Sequence, residues 1–201
     1  MKVSKLQSAE NRQGILDAAS RLYRERGLSG VGVADITREA GLTHGGLYRH
    51  FENKDALVRE ACAKAFDWSM APLGGTDADM GSGPQGLAAR VTSYLSPQHR
   101  DHPGEGCPVA ALAVDAARAG GDLSEVFAQG IEHNFERFAR VIEGIEQGKP
   151  SAEGRAQAML MLATMVGGLV LARATAAGRP ALSDEILATL REHLITPPKQ
   201  R

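Results

Sequence analysis

The residues with the most distinctive chemistry lie in Val33–Lys54, which reads Val-Ala-Asp-Ile-Thr-Arg-Glu-Ala-Gly-Leu-Thr-His-Gly-Gly-Leu-Tyr-Arg-His-Phe-Glu-Asn-Lys. The spacing predicts two short helices joined by Gly41-Leu42-Thr43. Gly41 permits the sharp reversal between them, which a residue with a Cβ resists. Thr43 is placed to cap the second helix, expected over His44–Phe51. Within it Leu47 and Phe51 are one turn apart and share a buried face. His44, Gly45, Tyr48 and Arg49 point away from that face. Gly45 and Gly46 fall in the first turn, and each glycine costs a helix about 1 kcal/mol relative to alanine. That cost has a reason if the backbone must lie close against another surface. The major groove of DNA is such a surface, because it admits one helix with its N-terminal residues toward the base edges.

Cys107 is the second chemical candidate. It follows Gly106 and precedes Pro108 at an expected helix start. A helix N-terminus lowers a thiol's pKa and favours the thiolate. His99, Arg100 and His102 lie nearby in sequence and could add positive charge. The residue types allow an electrophile or oxidant sensor; the weightier alternative is an inert thiol at a helix entry. Cys62 falls in an apolar helix and reads as core. The two cysteines form neither a disulfide framework nor a metal spacing. No nucleophile elbow, phosphate loop, metal-ligand set or acid/base carboxylate pair stands in a credible context. No metal, cofactor or catalytic role is expected.

The elements that position these residues are expected to be all-α, because helix formers dominate and strand-type alternation is absent. A first helix spans about Ser8–Arg26, with Ile15, Ala18 or Ala19, and Leu22 on one face, and Gly27 ends it. A second runs over about Val33–Ala40. Asn53 caps a fourth, which carries Ala56, Leu57 and Ala61. Met70–Gln85 is rich in Gly, Asp and Pro. It divides a head, residues 1–62, from a body, residues 63–201. Body helices are expected over about Gln85–Tyr94, Pro108–Arg118, Ser124–Ile145, Ala152–Ala177 and Ser183–Leu194, with Ser124 as a cap. Ser96–Gly106 reads as a polar break, and Pro197-Pro198 as the close of the fold.

Here the sequence resembles the TetR family of transcriptional regulators. The resemblance runs from about Ile15 to Leu57. It rests on Ile-Leu-Asp-Ala-Ala, Arg26-Gly27, Ile36 with Ala40-Gly41, and the run Gly-Leu-Tyr-Arg-His-Phe-Glu-Asn-Lys-Asp-Ala-Leu. Beyond residue 62 it is looser. It implies a three-helix head on a helical ligand-binding and dimerisation body. It further implies that His44, Gly45, Gly46 and Arg49 read bases, that Thr43, Tyr48, His50 and Lys54 grip phosphates, and that Arg38 reaches either. Those chemistries are compatible, since arginine bonds bidentately to guanine, and hydroxyls and lysine suit phosphate oxygens. One departure is Gly32, where the family often has a Ser or Thr cap. Tyr48 as a packing aromatic and His50 as a packing histidine remain alternatives. Arg12, Arg21 and Arg24 read as a solvated face of the first helix.

In the body, Ala158–Ala172 is apolar all round and must be covered on every side. A two-fold interface with a second copy is expected from Met159, Leu162, Val166, Leu169, Val170, Leu187 and Leu190, with Gly167-Gly168 allowing close approach. An ordinary core helix is the alternative. The resemblance implies a small-molecule effector, for which Trp68, Tyr94, Cys107, Phe127, Phe135, Phe138, Met161 and Met165 are candidate walls. Methionine suits adaptable apolar pockets, and it is also an ordinary core filler.

The bulk numbers agree with this division. Residues 1–60 carry ten Lys/Arg against eight acids, a charge of +2, while the whole chain carries −1. The sign suits a DNA-facing front. The N-terminus lacks an apolar leader core, and Ala158–Ala172 is shorter than the roughly 20 residues of a membrane span. A cytoplasmic protein without a membrane partner is expected. The leading reading is a homodimeric repressor released from a near-palindromic operator by a small apolar or reactive ligand. The rivals are a thiol-based sensor acting through Cys107, and a helical interaction protein that does not bind DNA.

Overall fold

The computed structural model describes residues 5–68 and 80–196. These form ten α-helices and no strand. The chain divides into two compact units, Met1–Trp68 with Pro103–Ala128, and Ser69–His102 with Gln129–Arg201. Most of the Gly/Asp-rich stretch after Met70, and Pro197-Pro198, lie outside the described residues.

The first unit contains α1 (Lys5–Arg26), α2 (Val33–Glu39), α3 (His44–Leu47), α4 (Lys54–Ala65) and α7 (Pro108–Ala119), with a 3-10 turn at Pro103–Glu105. It also takes the start of α8 (Gly121–Glu143). Ile15, Ala19, Leu22 and Tyr23 of α1 are buried with Ile36, Leu47, Phe51, Leu57 and Ala61. Apolar burial of this kind stabilises by about 25 cal/mol per Å² removed from water. Gly27, at φ +74°, stops α1, and its N–H donates to the Tyr23 carbonyl at 2.8 Å.

The arginines of α1 do structural work rather than forming a simple solvated face. Arg12 pairs with Glu60 and lies over the Phe51 ring, 4.8 Å from its centroid. Arg21 pairs with Glu25 at 2.7 Å and also with Glu39. Arg24 donates to the Gly106 carbonyl at 2.7 Å. These contacts tie α1 to α4, to α2 and to the segment before α7.

Asn53 caps α4 as its residue type predicts, its Oδ1 accepting from the Ala56 N–H at 2.8 Å. Asn53→Ala is expected to lower stability by about 1 kcal/mol. In a chain of this size that is a fall of about 2–4 °C in Tm. Thermal melting checks it, and an unchanged Tm would leave the cap without energetic weight.

The second unit holds α5 (Gly83–Tyr94), α6 (Pro97–Asp101), the rest of α8, α9 (Ala152–Ala176) and α10 (Pro180–Ile195). α9 and α10 pack closely. A Cβ at Gly168 would sit 2.3 Å from Leu190 Cδ1. Ser151 caps α9 by accepting from the Gly154 N–H at 3.0 Å. Arg155 forms a two-pronged pair with Glu132, both bonds 2.7 Å. Arg100 joins Asp184 at 2.7 Å and the buried Ser183 hydroxyl at 3.0 Å.

Two sequence expectations need correction. The supposed polar break Ser96–Gly106 contains α6 and the 3-10 turn, because Ser96 caps α6 and Pro97 sits at its first position. Ser124 does not cap α8, which already starts at Gly121 after the left-handed Gly120 at φ +64°. α9 is also longer than the apolar run inside it. At 25 residues, with a window of mean hydropathy 1.7, it passes a membrane-span test by length and composition. Its Arg155 ion pair, and Arg173 donating to the His99 carbonyl at 2.8 Å, tie it instead into a helical bundle.

Candidate nucleic-acid interface

The reading segment is built from the turn upward. Gly41 adopts φ +68°, which only glycine takes readily, and reverses the chain after α2. The Leu42 N–H then donates to the Thr37 carbonyl at 2.8 Å. Thr43 occupies the N-cap of α3 in extended backbone, but its side chain makes no cap hydrogen bond. Its hydroxyl is therefore not used in closing the helix.

α3 is shorter than the expected His44–Phe51. α-Helical geometry ends at Leu47, and Tyr48–His50 continue as turns. The His50 N–H donates to the Leu47 carbonyl at 2.9 Å, as does the Phe51 N–H at 3.2 Å. Two glycines in the only full turn explain why the helix does not propagate. The anchoring face is as expected, with Leu47 fully buried and Phe51 only 3% exposed.

The opposite face is open. Gly45 is exposed, and a Cβ built there would meet nothing within 4 Å. Gly46 would make ordinary contacts with Thr43 Oγ1 at 3.6 Å and Leu42 Cβ at 3.8 Å. Neither glycine has the positive φ that would require it. Internal packing thus gives no reason for glycine at position 45. Tyr48 is 49% exposed, which disfavours its reading as a packing aromatic. Arg49 is exposed, its N–H donates to the Gly46 carbonyl at 3.4 Å, and its side chain has no ion pair or hydrogen bond among the described residues. His50 is half-buried, and the His44 side chain lies outside what is described.

Two flanking cations are oriented by the fold. Lys54 is exposed, with Nζ donating to the Val31 carbonyl at 3.3 Å. Arg38 projects from α2 with its side chain 74% exposed and donates to Asp35 at 2.6 Å. Asp35 also accepts the Gly32 N–H at 3.1 Å. The Gly32 N–H and then Arg38 hold the Asp35 carboxyl below the usual range. Asp35 thus satisfies the Gly32 N–H at the start of α2, the capping bond that needs no side chain at position 32. Sequence reading missed this, although an acid three residues after a cap position was a usable signal.

The expected effector walls are divided between the two compact units. Trp68, Cys107 and Phe127 fall in the first compact unit, and Tyr94, Phe135, Phe138, Met161 and Met165 in the second. Phe127 packs edge-on against Phe66 at 5.2 Å, and Tyr94 against His99 at 4.6 Å. Met165 is fully buried. Of the eight, Phe138 lines a described cavity. Cys107 is 3% exposed, which favours a structural thiol over an accessible sensor. Burial pushes the Cys62 thiol up to about 12, so it stays protonated at neutral pH.

The expected interface residues also divide. Leu162, Leu169 and Leu187 are buried within the single chain, and Val166 and Leu190 are half-buried. Met159 and Val170 are exposed, as are Leu160 and Leu171, which sequence reading did not select for the interface.

A short helix seated on a left-handed glycine turn, apolar on one side and open on the other, defines a helix-turn-helix DNA-binding head. Residues 15–61 match the description "Bacterial regulatory proteins, tetR family". The HTH-type transcriptional repressor DhaR of Mycobacterium sp. strain GP1 is 28% identical over 142 residues, 68% of each chain. The HTH-type transcriptional repressor KstR2 of Mycolicibacterium smegmatis is 37% identical over 62 residues, and there the match spans only 30% of the relative's length. In fold, a TetR-family regulator from Agrobacterium tumefaciens superposes with a TM-score of 0.69 at 22% identity, covering 92% of this chain and 97% of that one. Residues 15–61 are thus similar to the head of tetR-family regulators, and the fold resembles that of a TetR-family regulator over 92% of the chain.

Proposed function

We propose that this regulator is a homodimeric repressor released from its operator by a small molecule. The open first turn of α3, with Arg49 outside any described ion pair, is the observation that carries the DNA-reading assignment. In this reading His44, Gly45, Gly46 and Arg49 face bases, and Thr43, Tyr48, His50 and Lys54 face phosphates. Arg38 contributes once DNA competes for its partner Asp35. Repression is supported by the names of DhaR and KstR2.

The two-fold assembly is supported by the apolar side of α9 left uncovered in one chain. Leu160 is 71% exposed there and Leu171 57%. Two heads one DNA turn apart, ~34–36 Å, would read a near-palindromic operator. A ligand that binds better to a differently spaced pair shifts the population away from DNA.

The test is binding to the DNA upstream of the protein's own gene. Arg49→Ala is expected to weaken it by about 1–3 kcal/mol and relax sequence preference at one position. Lys54→Ala is expected to weaken all sequences alike and reduce the salt slope by about 1. If both variants bind as the wild type does, DNA reading by this face is wrong, and the rival of a helical interaction protein gains.

A further inference from the structure

A cavity of about 410 Å³ lies in the second unit between α5 and α8. That volume is within the range of small-molecule sites. Its lining is not the Met-rich apolar wall expected from sequence. Arg90, Arg137, Arg140 and Asn134 face it, against one acid, Glu146. Phe138, Val141 and Ile145 supply an apolar side.

The three arginines have different duties. Arg90 is buried and donates to the Gly81 carbonyl at 2.6 Å and the Gly86 carbonyl at 3.1 Å. It shapes the wall. Arg140 donates to the Gly148 carbonyl at 3.2 Å and stands 3.7 Å from Glu136. Arg137 and Arg140, one turn apart on α8, both border the cavity beside Phe138 and Val141. Burial lowers the pKa of Arg137, the direction expected of a cation removed from water. A partly desolvated guanidinium binds an anion more strongly than a solvated one, and its planar fork matches carboxylate and phosphate.

We propose that this cavity takes an amphipathic anion, with its acidic head on Arg137 and Arg140 and its apolar body against Phe138, Val141 and Ile145. The proposal rests on the ligand-responsive reading above and narrows it to a chemical class. Carboxylate and phosphate heads share the required chemistry.

The test uses the full chain and four probes with the same chain but different heads: decanoate, decyl phosphate, decanol and decyltrimethylammonium. Titration calorimetry gives affinity, and operator binding is followed in parallel. At least one of the two acids is expected to bind about tenfold or more tighter than decanol and the cation. Which acid binds tighter separates the two head groups. Arg137→Gln is expected to weaken the preferred acid by about tenfold while leaving decanol unchanged. Arg140→Gln should act in the same direction, and melting without ligand confirms that each variant folds. Decanol binding as tightly as both acids, no binding of either acid, or folded variants that keep full acid affinity would each overturn the assignment. Acid binding that leaves operator affinity unaltered keeps the cavity assignment and defeats ligand release. Operator release that ignores head charge does the reverse.

Discussion

Gly45→Ala is expected to make the protein more stable and a poorer DNA binder. The two effects have separate origins. A methyl group at position 45 would enter open space, so the folded chain gains no clash. Alanine is favoured over glycine in a helix by up to about 1 kcal/mol, here reduced because the site lies in the first turn. The upper bound corresponds to a rise of about 2–4 °C in Tm. The same methyl lies on the exposed side of α3, opposite the buried Leu47 and Phe51. If that side fits the major groove, the backbone must withdraw or the DNA must move. A misfit of about 1.4 kcal/mol is a tenfold loss of affinity. Gly46→Ala is a useful comparison, since its Cβ would touch Thr43 and Leu42 within the protein. Melting and operator titration on the same preparation decide the matter. A stabilised Gly45→Ala protein with wild-type affinity would show that this glycine does not serve close approach.

The head was legible because its signals are local. Gly41, Asn53, Leu47 and Phe51 each act through neighbours within a few residues, and periodicity reports such contacts directly. The extent of α3 was less legible, because a strong anchoring pair suggested a longer helix than two glycines sustain. The roles of Arg12 and Arg24 were hidden for a different reason. Their partners, Glu60 and Gly106, are 48 and 82 residues away in sequence, and no local pattern marks them. The arginine-lined cavity shows the same limit. Arg137 and Arg140 look like exposed helix charges until Arg90, from α5, stands across from them. The α9 face was misread in detail because the helix is apolar on every side. Its composition says that it must be covered, but only the placement of the helices packed against it distinguishes Leu162 and Leu169 from Leu160 and Leu171.

That distinction gives the second large effect. If the exposed side of α9 is the two-fold interface proposed above, Leu160→Glu is expected to leave the protein monomeric without unfolding the chain. Leu160 is 71% exposed in one protomer, so a polar replacement there should alter its own stability by no more than about 0.5 kcal/mol. Leu162, half a turn away and 7% exposed, would not be a fair site, because its loss would damage the packing inside the protomer. In a two-fold interface each substitution enters twice, and residues near an axis meet their own copies. Two carboxylates would then be brought together in a surface that otherwise presents Met159, Val170 and Leu171. Burying such charges without partners is strongly unfavourable. Gly167 lies on the exposed side, and a Cβ there would meet nothing within 4 Å, which leaves room for a partner backbone. Val114→Glu is the control, since Val114 is 61% exposed on α7 and lies outside α9 and α10. Sedimentation should show a monomer for Leu160→Glu and a dimer for Val114→Glu. Operator affinity of the monomer should drop by about 10²–10⁴, the usual loss when two linked contacts become one. Should Leu160→Glu sediment as a dimer, the exposed side of α9 is not where two copies meet, and the apolar surface needs another partner.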